Sequence, residues 1–535
     1  MSKRLILILA LAFVVGVTCA AYAEVQNVKV SGDLTVMGVG RANLDLAKEP
    51  ASGARITQAA NNNWADKSAD VLSIARIRVD ADLTDNVSTS IRLLSERPWN
   101  GEGGTHGGRN GNIGLNIGTN AGATIGTGAW TNDSNRENKI DIDLAYVTMK
   151  EFLYSPLTLT VGRQLLRFGN GLIVGDPDTN IYSVSTALYE GDLSARKSFD
   201  AVRATLDYNP LVIDAVYAKV EEGQANLNDD VTLMGLNAAY DMGRQTTLEG
   251  YFFSKIKGSQ AAWVYGLDAQ QQGSVVLDPN NKNVADKVNT VGLRAVNKTI
   301  KNLTLDVQGA YQFGTYNPKF DPNMRSTGDG FGEDQLAETC KRSAFAFQAE
   351  ATYDLKDISM LTKYSPAITG NYTYLSGAGR DKVGRTSYKG WDPMFEDQTY
   401  GHLMNAIMAN TNMHRIAMSG KAKLTDDIGV KLDYVASWFA KRYPEGRLAV
   451  LSGIADSSTT ARVFRMGKER FIGQEVDVTV TYDYTEDVQF SLMGGVFSPS
   501  RAINDGYQVD TNVDGGRWPH KASAQELIGS MKVTF

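Results

Sequence analysis

Between residues 471 and 484 the chain reads FIGQEVDVTVTYDY, in which apolar and polar side chains alternate. Ile472, Gln474, Val476, Val478, Val480, Tyr482 and Tyr484 fall on one face, and Gly473, Glu475, Asp477, Thr479, Thr481 and Asp483 on the other. A period of two is that of a β-strand with one apolar side, and the run is long for a strand of a soluble sheet. The pattern recurs along the chain and predicts about eighteen strands, at 28-38, 71-84, 87-97, 139-150, 156-165, 198-208, 211-221, 231-241, 245-256, 287-297, 302-314, 342-354, 367-376, 413-425, 428-439, 471-484, 488-498 and 524-535. Some are clean by parity: in LTLDVQGAYQF, Leu303, Leu305, Val307, Tyr311 and Phe313 oppose Thr304, Asp306, Gln308 and Gln312. Aromatic residues gather at strand ends.

The connections alternate as well. Tight links such as Asp85-Asn86, Asn209-Pro210, Met242-Gly243-Arg244 and Asp426-Asp427 join even strands to odd ones, with a medium link at 355-366. Long segments rich in Gly, Asn, Asp and Ser, such as 98-138, 166-197 and 377-412, join odd to even. Short turns at one end and long loops at the other are the arrangement of an outer-membrane barrel, with the turns in the periplasm and the loops outside. The predicted fold is therefore all-β, a transmembrane antiparallel barrel. A terminal strand ending in Phe535 agrees with this reading.

The N-terminus supplies the route. Lys3 and Arg4 precede an apolar run from Leu5 to Val17 and an Ala21-Tyr22-Ala23 cleavage pattern, which together read as a secretory signal peptide over 1-23 followed by one barrel domain over 24-535. The apolar run is too short for a spanning helix of roughly 20 residues. No later stretch could serve as one, and a closed barrel is the other structure that satisfies its backbone in lipid. Removal of Lys3 and Arg4 makes the formal charge of -6 two units more negative. Cleavage also leaves Cys340 as the one cysteine, which excludes an intrachain disulfide. Outer-membrane lipid and lipopolysaccharide are the expected surroundings, and no nucleic-acid partner is expected.

A barrel of this size leaves an aqueous bore, so a passive channel for hydrophilic solutes is the first functional expectation. Few residues separate the cleavage site from the first strand, which leaves no room for a globular plug; any constriction must come from lumen side chains or inward-folded loops. Parity sends Arg76, Arg78, Arg203 and Arg294 into the lumen among the bases, and Asp80, Glu350, Glu475 and Asp477 among the acids. Opposed charges of this kind select solutes by charge and size, and across strands they also hold register. Arg203 either lines the constriction or is a register pin paired with Asp200 or a carboxylate on an adjacent strand; Asp200 is counted in the acidic lining. An enzyme is not expected, because none of the four histidines, His106, His402, His414 and His520, has a nucleophile motif near it. No metal or cofactor is expected: DPNMRSTGDGFGED at 321-334 has Arg325 at a ligand position of a calcium loop. The Gly-rich loop 98-138 is a candidate for folding into the bore.

TLTVGRQLLRFGNGLIVGDPD, followed by ARKSFDAVRATLDY, within 158-208, resembles the alginate-export family of outer-membrane β-barrels. GWDPMFEDQTYGHLMN at 390-405 and IGQEVDVTVTYDYTEDVQFSLMGGVFSP at 472-499 look like the same family. The resemblance implies a monomeric channel whose arginine-lined constriction passes an anionic polysaccharide. Carried over by position, Arg163, Arg167, Arg196, Lys197 and Arg203 would be its basic lining. Guanidinium groups suit the task because they pair with carboxylates in bidentate fashion and stay charged. Strand parity alone sets Arg163 with Leu157, Leu159 and Val161 on the lipid side, and a bulge at Gly162 would turn it inward. The alternative function is a barrel sheath around a multihaem cytochrome supplied by a partner, since the chain has no C-x-x-C-H site.

Overall fold

A computed structural model describes residues 27-44, 46, 67-99, 140-178, 191-222, 230-258, 285-317, 339-378, 387-445, 448-451, 463-506 and 522-535. The signal-peptide segment, the Gly-rich loop and the 321-334 segment discussed above lie outside these residues.

Among the described residues there are twenty-two strands, and eighteen of them close a barrel. These are β1 (Asn27–Ala42), β2 (Lys67–Thr84), β3 (Val87–Pro98), β4 (Asp141–Met149), β5 (Leu157–Leu165), β6 (Ser198–Asp207), β7 (Leu211–Glu221), β8 (Val231–Met242), β9 (Thr246–Lys257), β10 (Asp286–Asn297), β11 (Leu303–Tyr316), β12 (Cys340–Asp354), β13 (Ala367–Leu375), β15 (Met413–Lys423), β16 (Ile428–Phe439), β19 (Phe471–Asp483), β20 (Val488–Pro499) and β22 (Ala524–Thr534). Each pairs antiparallel with the next, and β22 returns to β1 from Asp33↔Thr534 to Ala42↔Gln525. Closure leaves no unpaired edge in the lipid. Phe535 completes the seam by exchanging backbone hydrogen bonds with Gly32 at 2.8 and 3.0 Å. The short strands β14 (Ser387–Tyr388), β17 (Leu448–Val450), β18 (Val463–Met466) and β21 (Ile503–Gly506) lie in the long connections. All eighteen expected strands coincide with barrel strands, and the tight links coincide with the turns at one end.

Alternation decides which way each side chain points. Val476, Val478 and Val480 are 42%, 41% and 37% exposed on the outer surface, whereas Glu475 and Asp477 between them are buried inside. Tyr208, Tyr240, Tyr353, Tyr482 and Tyr484 ring the outer face at the short-turn end, and Tyr311, Phe313 and Phe345 stand outside near the long-loop end. These are the two aromatic girdles of an outer-membrane barrel.

One expectation on the opening strand needs correcting. Strict alternation sets Ile472 on the same face as Val476, yet it is fully buried inside the barrel beside Leu403, Met404 and Phe497. Ser437 pairs with Gly473 and Trp438 with Phe471, so Ile472 is the extra residue of a bulge, which reverses the parity beyond it.

The bore is not an empty cylinder. Residues 166-178 after β5 and 389-412 before β15 fold into it and lie against each other. Phe395 accepts hydrogen bonds from the backbone of Gly175 and Asp176 at 2.7 and 3.0 Å and donates to Ile173 at 3.0 Å, while Asp397 donates to Gly171 at 2.8 Å. Leu166, Phe168, Leu172, Ile173, Val174, Trp391, Met394 and Phe395 form one apolar cluster with wall residues such as Phe199, Val216, Leu233 and Phe253. The inward segments are therefore held by burial as well as by hydrogen bonds. The helix α1 (His402–Ile407) continues the second segment and packs Leu403, Met404 and Ile407 against Val435, Ile472 and Phe497. Gly401 begins it at φ +83°, and a Cβ there would stand 2.7 Å from Glu475 Oε2, so the close approach of helix to wall requires glycine.

Candidate functional site

Ladder pairing and burial assign each expected charged residue to a surface. Arg76 points inward and pairs with Asp33 at 2.7 Å; Arg78 pairs with Asp80 at 2.8 Å, which also accepts a hydrogen bond from Ser90. Arg294 bridges Glu249 at 3.0 Å and Asp306 at 2.7 Å. Glu350 faces the bore, where Asn371 donates to it at 3.1 Å and Tyr400 at 3.4 Å. Arg203 also points inward, but its partner is Asp214 across the ladder at 2.8 Å, and its guanidinium lies 5.4 Å from the ring centroid of Phe168. It thus props the inward segment by a cation–π contact while holding register.

Arg163 and Asp200 do not line the bore. They are register partners, with Val161↔Val202 on one side and Gln164↔Phe199 on the other. Val161 and Val202 are exposed outside while Gln164 and Phe199 are buried inside, so the pair between them faces outward, 3.6 Å apart. Gly162 does adopt a conformation reserved for glycine, φ +121°, with Ala145 O 2.2 Å from where a Cβ would be. The register nevertheless runs through it without a shift, and Arg163 keeps the parity of its strand. Glu475 and Asp477 are corrected in a different sense. They point inward, but α1 lies over them: Glu475 accepts the backbone N–H groups of Leu403 and Met404, both at 2.7 Å, so neither carboxylate meets the water path.

The remaining basic residues converge on the inward segments. Arg196 sits deep, paired with Asp141 and, at 3.5 Å, with Glu96. Arg167 and Lys197, by contrast, both pair with Asp397, one on each carboxylate oxygen. Lys197 is in addition 3.8 Å from Asp176. With side chains 48% and 38% exposed, Arg167 and Lys197 are more open than the other expected cations that face inward, Arg76, Arg78, Arg196, Arg203 and Arg294. Burial pushes the carboxyls of Asp176 and Asp178 up to about 6. Arg167 and Lys197 thus share Asp397, with Asp176 beside Lys197, in a stretch of the bore narrowed by the folded-in segments.

Sequence reasoning passed over Asp397 and Asp214. Asp397 was within reach of it, as the one carboxylate after Glu396 in the quoted stretch GWDPMFEDQTYGHLMN. Asp214 lies in LVIDAVYAKV, where an acid alone among apolar residues marks the inward face.

The family model for alginate export matches residues 42–515. The chain belongs to the alginate export family. As a member of this family with a closed barrel, it resides in the outer membrane and is a channel; both family and fold are those of channels rather than enzymes. No curated protein sequence matches this alginate export family member. Similar solved structures include OccK8 (OprE) of Pseudomonas aeruginosa, 10% identical, with 96% of this chain and 99% of that one covered at a TM-score of 0.47. OccAB1 of Acinetobacter baumannii is 10% identical over 96% of this chain and 99% of its own, with a TM-score of 0.46. OprB of Pseudomonas putida is 10% identical over 95% and 94%, with a TM-score of 0.40.

Proposed function

We propose that this channel passes anionic or sugar-like hydrophilic solutes passively, polysaccharide export included, and that Arg167 and Lys197 are the cations such a solute meets at the narrow stretch. The observation that carries this reading is their shared carboxylate. Four other inward arginines are matched by wall acids: Arg76 by Asp33, Arg78 by Asp80, Arg203 by Asp214, and Arg294 by two. At Asp397 two exposed cations share one carboxylate, and the further acid, Asp176, lies 3.8 Å from Lys197 alone. A solute carboxylate can take the place of Asp397 on either of them, with bidentate geometry available at the guanidinium. The matched pairs along the remaining wall offer hydroxyl-rich solutes hydrogen-bonding partners without trapping charge.

The folded-in segments also favour a solute path over a sheath for a multihaem partner, because apolar packing occupies lumen that a protein core would need. The protein works as a monomer in this reading, and residues 1-23 are a signal peptide removed on export. The test is the reversal potential across a salt gradient for purified channel in planar bilayers. Wild type should favour anions at low salt, and Arg167→Ser with Lys197→Ser should lose that preference. Cation preference in wild type, or unchanged preference in the double variant, contradicts the proposal.

A further inference from the structure

At the long-loop rim the outer wall of β10, β11 and β12 carries two lysines. Lys287 and Lys341 are exposed, and the ladder sets Thr315 directly between them. All three point outward. The chain neighbours Asp286 and Arg342 point into the barrel and pair with each other there at 2.8 Å. Val291, Phe313 and Phe345, which share the parity of Lys287, Thr315 and Lys341, stand exposed outside. Neither lysine has an ion-pair partner among the described residues. Two other outward cations of this wall are matched, Arg163 by Asp200 and Lys219 by Asp230.

Below the lysines the wall changes character row by row. Asn289, Phe313 and Ser343 form the next outward row, and Val291, Tyr311 and Phe345 the one after. The Tyr311 and Ser343 hydroxyls lie 3.1 Å apart, and the Tyr311 and Phe313 rings stack at 6.3 Å between centroids. These aromatics belong to the girdle at the long-loop end, which places the lysines at the headgroup level of the outer leaflet. Neighbouring strands are about 4.8 Å apart, so two long stems flanking Thr315 can bring both ammonium groups to one anion. Cations and a hydroxyl at the rim, polar groups beneath them and aromatic rings below are the order that a phosphorylated glycolipid presents: phosphate, sugar, acyl chain.

We propose that Lys287, Thr315 and Lys341 bind a phosphate of an outer-leaflet glycolipid of the lipopolysaccharide class, whose acyl chains lie along Phe313, Tyr311 and Phe345. The charge-assisted hydrogen bonds from two ammonium groups suit a phosphate, and continuity with the lipid-facing wall selects a lipid over a free anion. The surface lies outside the bore, so the inference is independent of which solute the channel carries.

The test uses the full chain, purified in detergent and freed of lipopolysaccharide, with lipid A binding read by native mass spectrometry. A lysine near a charged lipid surface contributes roughly fivefold in affinity, so Lys287→Ser with Lys341→Ser should weaken lipid A binding about twenty-five-fold. Removing the phosphates from lipid A should weaken its binding to wild type at least as much. Lys298 and Lys301 are exposed beyond the other end of β10, and changing both to Ser removes the same charge there and should leave the affinity unchanged. The proposal is overturned by wild-type affinity in the Lys287/Lys341 variant, by equal affinity for the dephosphorylated lipid, or by an equal loss in the Lys298/Lys301 variant. Displacement of lipid A by an equal concentration of inorganic phosphate overturns it as well. If the Lys287/Lys341 variant does not assemble, acetylation of the wild-type lysines decides. Lipid A, and not its dephosphorylated form, should shield Lys287 and Lys341; labelling that lipid A leaves unchanged overturns the site.

Discussion

Replacing Phe395 with alanine should open the bore without unfolding the barrel. Phe395 is fully buried, edge-on to Phe199 at 5.8 Å between centroids, with Lys255 Nζ 5.7 Å from its ring. It stands where the two inward segments meet, next to the hydrogen bonds that join 173-176 to 395. Truncating a fully buried phenylalanine costs about 3–5 kcal/mol. None of that loss falls on the strand ladders, so it is taken from docking of the inward segments. At about 1.4 kcal/mol per tenfold, the docked population should fall roughly a hundredfold to several-thousandfold relative to the undocked one. Single-channel recording should show a larger and noisier conductance, while the folded band on unheated gels keeps its mobility and heat resistance. A variant with wild-type conductance and noise would refute the argument that these segments set the bore.

Three further outcomes follow from the same geometry. Val478→Arg places a charge on the lipid face and should cost roughly 2–4 kcal/mol if it lies near the bilayer midplane, so assembly measured by heat-modifiable gel mobility should fail, while Thr479→Arg on the inner face should assemble. Asp397→Asn removes the carboxylate shared by Arg167 and Lys197 and should raise anion over cation permeability at low salt, with the gain shrinking as salt screens the charge; a fall in anion preference would contradict it. Asp176 and Asp178 have carboxyls raised to about 6 by burial, so each is ionised at pH 7.5 and takes up a proton as the pH drops towards 5. Anion preference should therefore increase over that interval, and the double variant Asp176→Asn/Asp178→Asn should flatten the profile.

The barrel was legible because lipid and water impose opposite demands on neighbouring residues, and alternation records both. It failed where the backbone departs from a strict period of two. At Ile472 a bulged residue turns an apolar side chain inward beneath α1, and a sequence pattern carries no mark of one extra residue. Arg163 is the converse case. The glycine before it suggests a bulge that would turn it inward, but although Gly162 adopts φ +121° the hydrogen-bonded register stays continuous. The inward segments have no period to read, since they are loops packed by composition rather than by repeat. Their trace was the apolar run Leu172, Ile173 and Val174 within a stretch otherwise rich in Gly, Asn and Asp, which buries itself in the structure. Charge sites follow the same division. Parity finds that Arg203 points inward; that its acid is Asp214 rather than Asp200 depends on the register between β6 and β7.

The most direct measurement is blockade of the purified channel by uronate oligomers, compared with neutral oligosaccharides of equal length, in planar bilayers at low salt. Uronates should interrupt the current at lower concentration than neutral sugars and with longer residence, and the difference should vanish in the Arg167→Ser/Lys197→Ser variant. Equal blockade by both sugars, or blockade by uronates that survives loss of both cations, would contradict the account.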